Sequence, residues 1–250
     1  MKWLQFLTKH IHMLKYIFDV DGTLTPSRGA INPSFLHFML KFCKSNNVYL
    51  ATGSDAPKTI EQIGKRLFNS VTRSYNCNGN SVWENGVNVH NNPWEIQVQA
   101  HQKLKNWIDD TKFPHLTGTH IEERPGMVNF SIVGRGANIE QRSEYVTWDK
   151  KYNERENMAY YINNNNEEFK GITATVGGET GIDIGPTGSD KSQILKDFAK
   201  TDTLIFFGDG IFDGGNDYTL ANAIKKTGIG RTHKVNNWEQ TYEILTNVYC

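Results

Sequence analysis

Tyr16-Ile17-Phe18-Asp19-Val20-Asp21-Gly22-Thr23-Leu24-Thr25 decides how this chain is read. The apolar run Leu14 to Phe18 predicts a buried strand, and two aspartates one residue apart follow it, then a glycine and a threonine. Alternate side chains of a strand share a face. Asp19 and Asp21 therefore point into one site at the strand's carboxyl end, the end at which open α/β sheets bind ligands. Carboxylates this close repel unless a divalent cation or a shared proton offsets the charge. With Mg²⁺, one of them holds metal and still attacks phosphorus, while the other moves a proton. Gly22 permits a sharp turn, and Thr23 offers a hydroxyl and an amide to a phosphate. A calcium loop of the EF-hand kind is excluded. It needs a glutamate at its twelfth position, where Ala30 stands, and an apolar strand rather than a helix precedes it. A plain strand-to-loop turn would suffice if nothing else matched, but three further pieces follow in order.

The first is Thr52-Gly53-Ser54-Asp55, after the apolar run Val48-Tyr49-Leu50-Ala51 and before a helix with Ile60, Ile63 and Leu67 on one face. Free N–H groups and hydroxyls at a helix start make a phosphate site, although Thr, Ser and Asp are also ordinary caps. The second is Lys191, near the start of a predicted helix with Ile194, Leu195 and Phe198. A cation there opposes the helix dipole, which points to a task such as neutralising a transferring phosphoryl group. The third follows the strand Thr203-Leu204-Ile205-Phe206-Phe207: Gly208-Asp209-Gly210, then Asp213-Gly214-Gly215-Asn216-Asp217. This glycine-rich loop is filled with carboxylates, which repel phosphate and suit a Mg²⁺ site beside Asp19 and Asp21.

Between these pieces the pattern changes. Asn32-Pro33 caps a helix carrying Phe35, Met39, Phe42 and Cys43, and hairpin turns are predicted at Asn78-Gly79 and Asn85-Gly86. From His90 there follow a helix around Leu104 and Trp107, strands over Ile121 to Ile132 broken at Pro125-Gly126, a helix over Trp148 to Ile162, and strands at Ile172 to Val176 and Ile182 to Ile184. This is an α+β insert within an α/β domain. The expected division is a catalytic core of residues 13–89 and 186–250, an insert of 90–185, and an N-terminal extension of 1–12. The insert carries Arg124, Arg135 and Arg142 around Met127-Val128-Asn129-Phe130-Ser131. Each arginine alone reads as a surface ion pair. Together they favour an anion site, since guanidinium binds phosphate in a bidentate fork. Arg28 is a further candidate for an anionic group, and Asp183 for sugar hydroxyls.

The totals set bounds. The 250 residues hold one large or two modest domains, and the formal net charge of zero gives no steering toward nucleic acid or anionic membrane. No apolar run reaches the length of a membrane span. Cys43, Cys77 and Cys250 are scattered and odd in number, which suits a reducing compartment, so a soluble cytoplasmic protein is expected. Trp3, Leu4, Phe6 and Leu7 could form the apolar side of a short helix, and the stretch is too broken for a signal peptide. With Met13 directly before the strand, residues 1–12 are expected to be dispensable.

Asp19-Val20-Asp21-Gly22-Thr23, Thr52-Gly53-Ser54, Lys191, and Gly208-Asp209 with Gly215-Asn216-Asp217 together resemble the four motifs of the haloacid dehalogenase (HAD) superfamily. The insert resembles the large C2B cap of one of its subgroups. Arg124-Pro125-Gly126-Met127-Val128-Asn129, Ser131-Ile132-Val133-Gly134-Arg135, Gly177-Gly178-Glu179 and Phe206-Phe207-Gly208-Asp209 extend the likeness to the eukaryotic-type phosphomannomutase family. The resemblance implies an α/β fold with a HAD-type Rossmann-like core, a parallel sheet and an inserted α+β cap. It implies that Asp19 takes the phosphoryl group and that Asp21 is acid/base. Mg²⁺ would lie on Asp19, the Asp21 backbone carbonyl and Asp209, with Asn216 and Asp217 orienting its waters. Lys191, Thr52, Gly53 and Ser54 would hold the phosphoryl oxygens. Arg28, Arg124, Asn129, Arg135, Arg142 and Asp183 would hold a hexose phosphate. A hexose bisphosphate activator, a place in making nucleotide-mannose precursors, and a homodimer paired through the cap are consistent with the same likeness.

There are departures. Gly181 stands where the family has serine, the loop after Asp209 lacks Lys-Thr, and Ala223 replaces an aspartate of a further cation site, so no second ion is expected. The expected activity is interconversion of hexose 1- and 6-phosphates, with mannose phosphates preferred. A sugar-phosphate phosphatase using the same first step is the alternative, and a non-catalytic binding protein is disfavoured because every catalytic carboxylate is present.

Overall fold

The computed structural model describes residues 14–27 and 29–249. The expectations for residues 1–12 and for Arg28 lie outside the described residues.

The first strand, β1 (Leu14–Phe18), forms where the apolar run predicts it and occupies the middle of a seven-stranded sheet. The chain continues through α1 (Pro33–Ser45), β2 (Asn47–Ala51), α2 (Ala56–Ile63), the short α3 (Lys65–Phe68), β3 (Arg73–Asn76), β4 (Ser81–Glu84) and β5 (Val87–Asn91). It then builds a second layer from α4 (Val98–Asp110), β6 (Ile121–Arg124), β7 (Met127–Phe130), α5 (Ile139–Tyr152), α6 (Glu154–Asn164), β8 (Ile172–Gly177) and β9 (Gly181–Pro186). It returns to the first sheet through a 3₁₀ segment (Lys191–Asp197), β10 (Thr203–Gly208), α7 (Tyr218–Thr227), β11 (Gly230–Lys234) and α8 (Trp238–Ile244).

The core sheet has the order β11-β10-β1-β2-β3-β4-β5, parallel from β11 to β3 and antiparallel in the last two pairings. Its inner strands β1, β2 and β10 are apolar on both faces, as the covered part of a sheet requires. Tyr16, Phe18, Ile205 and Phe207 pack on one side with Phe35, Met39 and Phe42 of α1 and with Leu245. Ile17, Leu204 and Phe206 pack on the other with Ile194, Phe198 and Leu220, Ala221 and Ile224 of α7. Both strand faces therefore hold helices, and the free ends of β1, β2 and β10 converge at one edge.

The inserted layer is a four-stranded antiparallel sheet, β6-β7-β9-β8. Val128, Phe130, Ile182 and Ile184 face its helices and join Leu104, Tyr145 and Ile162 in a separate apolar core. The opposite face is polar. Register sets Glu122 beside Asn129 and Asn129 beside Asp183, one row across three strands.

Local signals hold in most places. Asn32 caps α1 by accepting from the Ser34 amide at 2.9 Å, with Pro33 in the first turn. Both Asn-Gly pairs sit in the connections β3–β4 and β4–β5, with left-handed φ values at Asn78, Gly79, Asn85 and Gly86. Two expectations are corrected. The single helix over Trp148 to Ile162 is two, because Asn153 adopts φ 51°. Asn tolerates this conformation, and Asp149 restarts the next helix by accepting from the Arg155 amide at 2.8 Å. The turn after Lys191 winds as a 3₁₀ segment rather than an α-helix.

Replacing Phe18 by alanine at the fully buried centre of the sheet is expected to cost about 3–5 kcal/mol. Asn32→Ala is expected to cost about 1 kcal/mol. Urea unfolding of both variants measures the ratio, and equal losses would contradict the placement of β1.

Candidate active site

Four chain segments meet at the carboxyl ends of β1 and β10. Asp19 leaves β1 and is 2% exposed, and its amide donates to the Phe207 carbonyl of β10 at 2.9 Å. Gly22 turns the chain away at φ 73°, and any side chain there would overlap the Asp209 carboxylate. The first motif therefore needs glycine at this position for space as well as for φ. Asp217 follows the glycine loop and is fully buried. One of its oxygens accepts from the Gly210 amide at 2.9 Å.

Lys191, 1% exposed, ties these pieces together. Its Nζ donates to Asp19 at 2.6 Å and to Asp217 at 2.7 Å. Burial alone would lower the lysine's pKa, but the two carboxylates outweigh it and raise it, so the ammonium stays charged. Burial raises the Asp19 pKa well above the usual carboxylate range; Lys191 opposes this, and Asp217 and Asp209 add to it. Asp209 is pushed up to about 6, first by burial and then by Asp217. Asp19, Asp209 and Asp217 each offer an oxygen within 4.8 Å of the others. Three carboxylates at that spacing, with two of them raised first by burial and further by their neighbours' charge, fit a hard divalent cation with oxygen ligands.

The Asp21 carboxylate takes other partners. Gln62 Nε2 donates to it at 2.8 Å and Ser54 Oγ at 3.4 Å. Gln62 is 2% exposed in the apolar stripe of α2. Thr52, Gly53 and Ser54 turn between β2 and α2, the Ser54 amide donating to Thr52 Oγ1 at 3.1 Å, and Asp55 caps the helix.

The cap's polar face stands over this edge. A cleft of about 290 Å³ is lined from below by Asp19, Asp21, Thr52, Gly53, Ser54 and Asn216, and from above by Arg124, Asn129, Arg135 and Asp183. Arg124 reaches across the cleft, donating to the Gly53 carbonyl at 2.8 Å. Arg135 donates to Asn129 at 2.6 Å, and Asn129 in turn donates to Asp183 at 2.6 Å. Gly134, just before Arg135, is held at φ 78° against the Thr117 carbonyl, where a side chain would clash. The buried Nε groups of Arg124 and Arg135 have no partner.

The predicted site residues thus fall into two joined groups, with Arg142 apart. It pairs with Glu179 at 3.0 Å and bonds Thr180 at 3.3 Å, so it reaches the cleft only through Glu179. Sequence reasoning missed Gln62, Glu122, Lys58, which lines the cleft, and Asn78, which donates to Asp183 at 3.4 Å. Glu122 carried a signal, because its spacing of two from Arg124 puts both on one strand face. Gln62 carried another, as a polar residue in an apolar helical stripe.

Residues 35–250 match the family model described as eukaryotic phosphomannomutase. A phosphomannomutase of Dendrobium officinale is 33% identical over 246 residues, covering 95% of this chain and 94% of that protein. One from Schizosaccharomyces pombe is 34% identical over 246 residues, covering 93% of each. A solved haloacid dehalogenase-like hydrolase from Bacteroides thetaiotaomicron matches with a TM-score of 0.56 at 14% identity, over 93% of this chain and 99% of that one, a likeness of fold. No helix among the described residues is long and apolar enough to cross a membrane.

An acid whose folded pKa is raised binds its proton more tightly when folded than when unfolded. For Asp209 the stability penalty of ionisation accrues from the unfolded value, about 4, to the folded value of about 6, and is complete above it. A divalent cation relieves that penalty. The rise in melting temperature on adding Mg²⁺ is therefore expected to be larger at pH 8 than at pH 5. Equal shifts at both pH values would contradict cation binding by this cluster.

Proposed function

This chain belongs to the eukaryotic phosphomannomutase family of the HAD superfamily, and from that premise we propose that it interconverts hexose 1-phosphate and hexose 6-phosphate, mannose phosphates in particular. The observation that carries the proposal is the single cleft that joins the buried acid cluster to the cap arginines. Residues 13–89 and 186–250 act as the catalytic core and 90–185 as the cap.

One Asp19 oxygen attacks phosphorus, forming a carboxyl–phosphorus anhydride as the sugar–phosphate P–O bond breaks. Asp21 gives a proton to the departing sugar oxygen and takes it back from the hydroxyl that is phosphorylated next. Gln62 and Ser54 hold the Asp21 carboxyl for both transfers. Thr52, Gly53 and Ser54 supply hydroxyl and amide donors to the phosphoryl oxygens. Lys191, fixed between Asp19 and Asp217, keeps positive charge beside the nucleophile. Positioning and charge compensation of this kind carry most phosphoryl-transfer catalysis. Asp19, Asp209 and the Asp21 backbone carbonyl would hold Mg²⁺, with Asp217 and Asn216 behind them. When bound, the ion neutralises the carboxylates and the phosphoryl oxygens. Arg124 and Arg135 grip the distal phosphate, so a hexose bisphosphate turns round without leaving; Arg28 would add to that grip, and so would Arg142 once released from Glu179. The closed cap excludes the water that would hydrolyse the acyl phosphate.

Gly181 leaves space that Asn129 fills: an added Cβ would come within 2.9 Å of its amide nitrogen. Asn129 thereby stands where the family's serine side chain would press, and it takes part in holding the sugar.

The test is incubation with mannose 1-phosphate, Mg²⁺ and a hexose bisphosphate, followed by phosphorus NMR. Mannose 6-phosphate is the expected product. Free phosphate without it would replace the mutase with a phosphatase. Asp19→Asn is expected to abolish turnover, and Asp21→Ala to lower kcat by about 10²–10⁴-fold. Full turnover in Asp19→Asn would rule out both activities.

A further inference from the structure

Glu122 is an anion set inside an anion-binding site. One of its oxygens, Oε2, takes both Arg124 Nη2, at 2.6 Å, and Arg135 Nη2. Burial would raise its pKa, but Arg124 and Arg135 outweigh burial and lower it. The carboxylate therefore stays ionised and spends positive charge that a phosphate would otherwise meet.

A structural brace would be the only anchor of the arginines, and Glu122 is not. Arg124 is independently held by the Gly53 carbonyl at 2.8 Å, and Arg135 by Asn129 Oδ1 at 2.6 Å. Both anchors are neutral acceptors. The other nearby carboxylate, Asp183, is engaged by Asn129 at 2.6 Å and Asn78 at 3.4 Å. Among the three charged side chains Glu122 is the most exposed, at 32% against 9% for Arg124 and 24% for Arg135, so it has solvent to move into. Removing it would leave both guanidinium groups in place and both buried Nε donors still without an acceptor.

We propose that Glu122 is a displaceable counter-ion, occupying the guanidinium edge that the substrate's distal phosphate takes and yielding it when the phosphate arrives. The inference rests on the sugar-phosphate function proposed above. It supplies that function with a weak grip. An intermediate that must let go with one phosphate and bind with the other is served by arginines that regain a partner on release. A counter-ion that yields only to phosphate also keeps two part-buried cations neutralised while the cleft is empty.

The test is titration calorimetry of inorganic phosphate into the full chain and three variants. Glu122→Gln, nearly the same shape without the charge, is expected to bind phosphate roughly fivefold more tightly, the size of one partly screened ion pair. Glu122→Asp, with a shorter reach, is expected to fall between the two. In a background carrying both Arg124→Gln and Arg135→Gln the gain from Glu122→Gln is expected to vanish. Unchanged or weaker binding by Glu122→Gln, in protein whose circular dichroism matches the parent, would overturn the counter-ion role. So would a gain that persists without both arginines, since the phosphate would then be bound elsewhere. Absence of phosphate binding by every protein, together with no turnover of hexose phosphates, would overturn the sugar-phosphate function itself.

Discussion

One buried ammonium governs the centre of this molecule. Lys191 sits among Asp19 and Asp217 with almost no access to water, a placement that is costly for any ion without partners. The cluster tolerates it because the carboxylates need the cation as much as it needs them. Three aspartates against one lysine still leave an excess of two negative charges, the charge a divalent ion would cancel. The surrounding backbone is shaped to the same end. Gly22 clears the volume for Asp209, and the Gly210 amide fixes the second Asp217 oxygen. The Asp19 carboxylate thus has its charge shared with a buried ammonium instead of with solvent.

The cap solves the complementary problem with a different device. A strand presents alternate residues to opposite faces, so β7 can build an apolar core with Val128 and Phe130 while giving Asn129 to the cleft. β9 does the same with Ile182 and Ile184 on one side and Asp183 on the other. The polar row Glu122, Asn129, Asp183 is a product of register, and its order across the sheet places amide between carboxylates. Hydrogen bonds along that row hold Arg135 in place from the side.

Much of this was legible beforehand because it depends on local pattern. Apolar runs ending in Asp, Gly or Thr marked the strands of the core, and the order of the four motifs carried the fold class. The α+β insert followed from a change of periodicity near His90. What escaped depended on contacts between distant residues. Nothing near Gln62 shows that its amide will meet Asp21, forty-one positions away. The direct link between Arg124 and the Gly53 carbonyl joins two layers, and no linear signal encodes it. Glu122 escaped notice because the role of a carboxylate depends on which cations surround it. The broken helix at Asn153 was missed for a local reason, since asparagine is acceptable inside a helix and in the left-handed conformation alike.

The pairing of β1 with β10 has a consequence for how the chain is made. Leu14 lies beside Thr203 in the sheet, so the two neighbours join across most of the polypeptide. During synthesis from the amino end, β1 can meet β2 early, yet its other edge stays bare until the ribosome has released the entire second layer and the return strand. An unpaired central strand is an adhesive surface, and long-range parallel pairing is slow. The nascent chain therefore spends a long vulnerable interval with the apolar strand β1 half covered, and assembly of the acid cluster waits for β10.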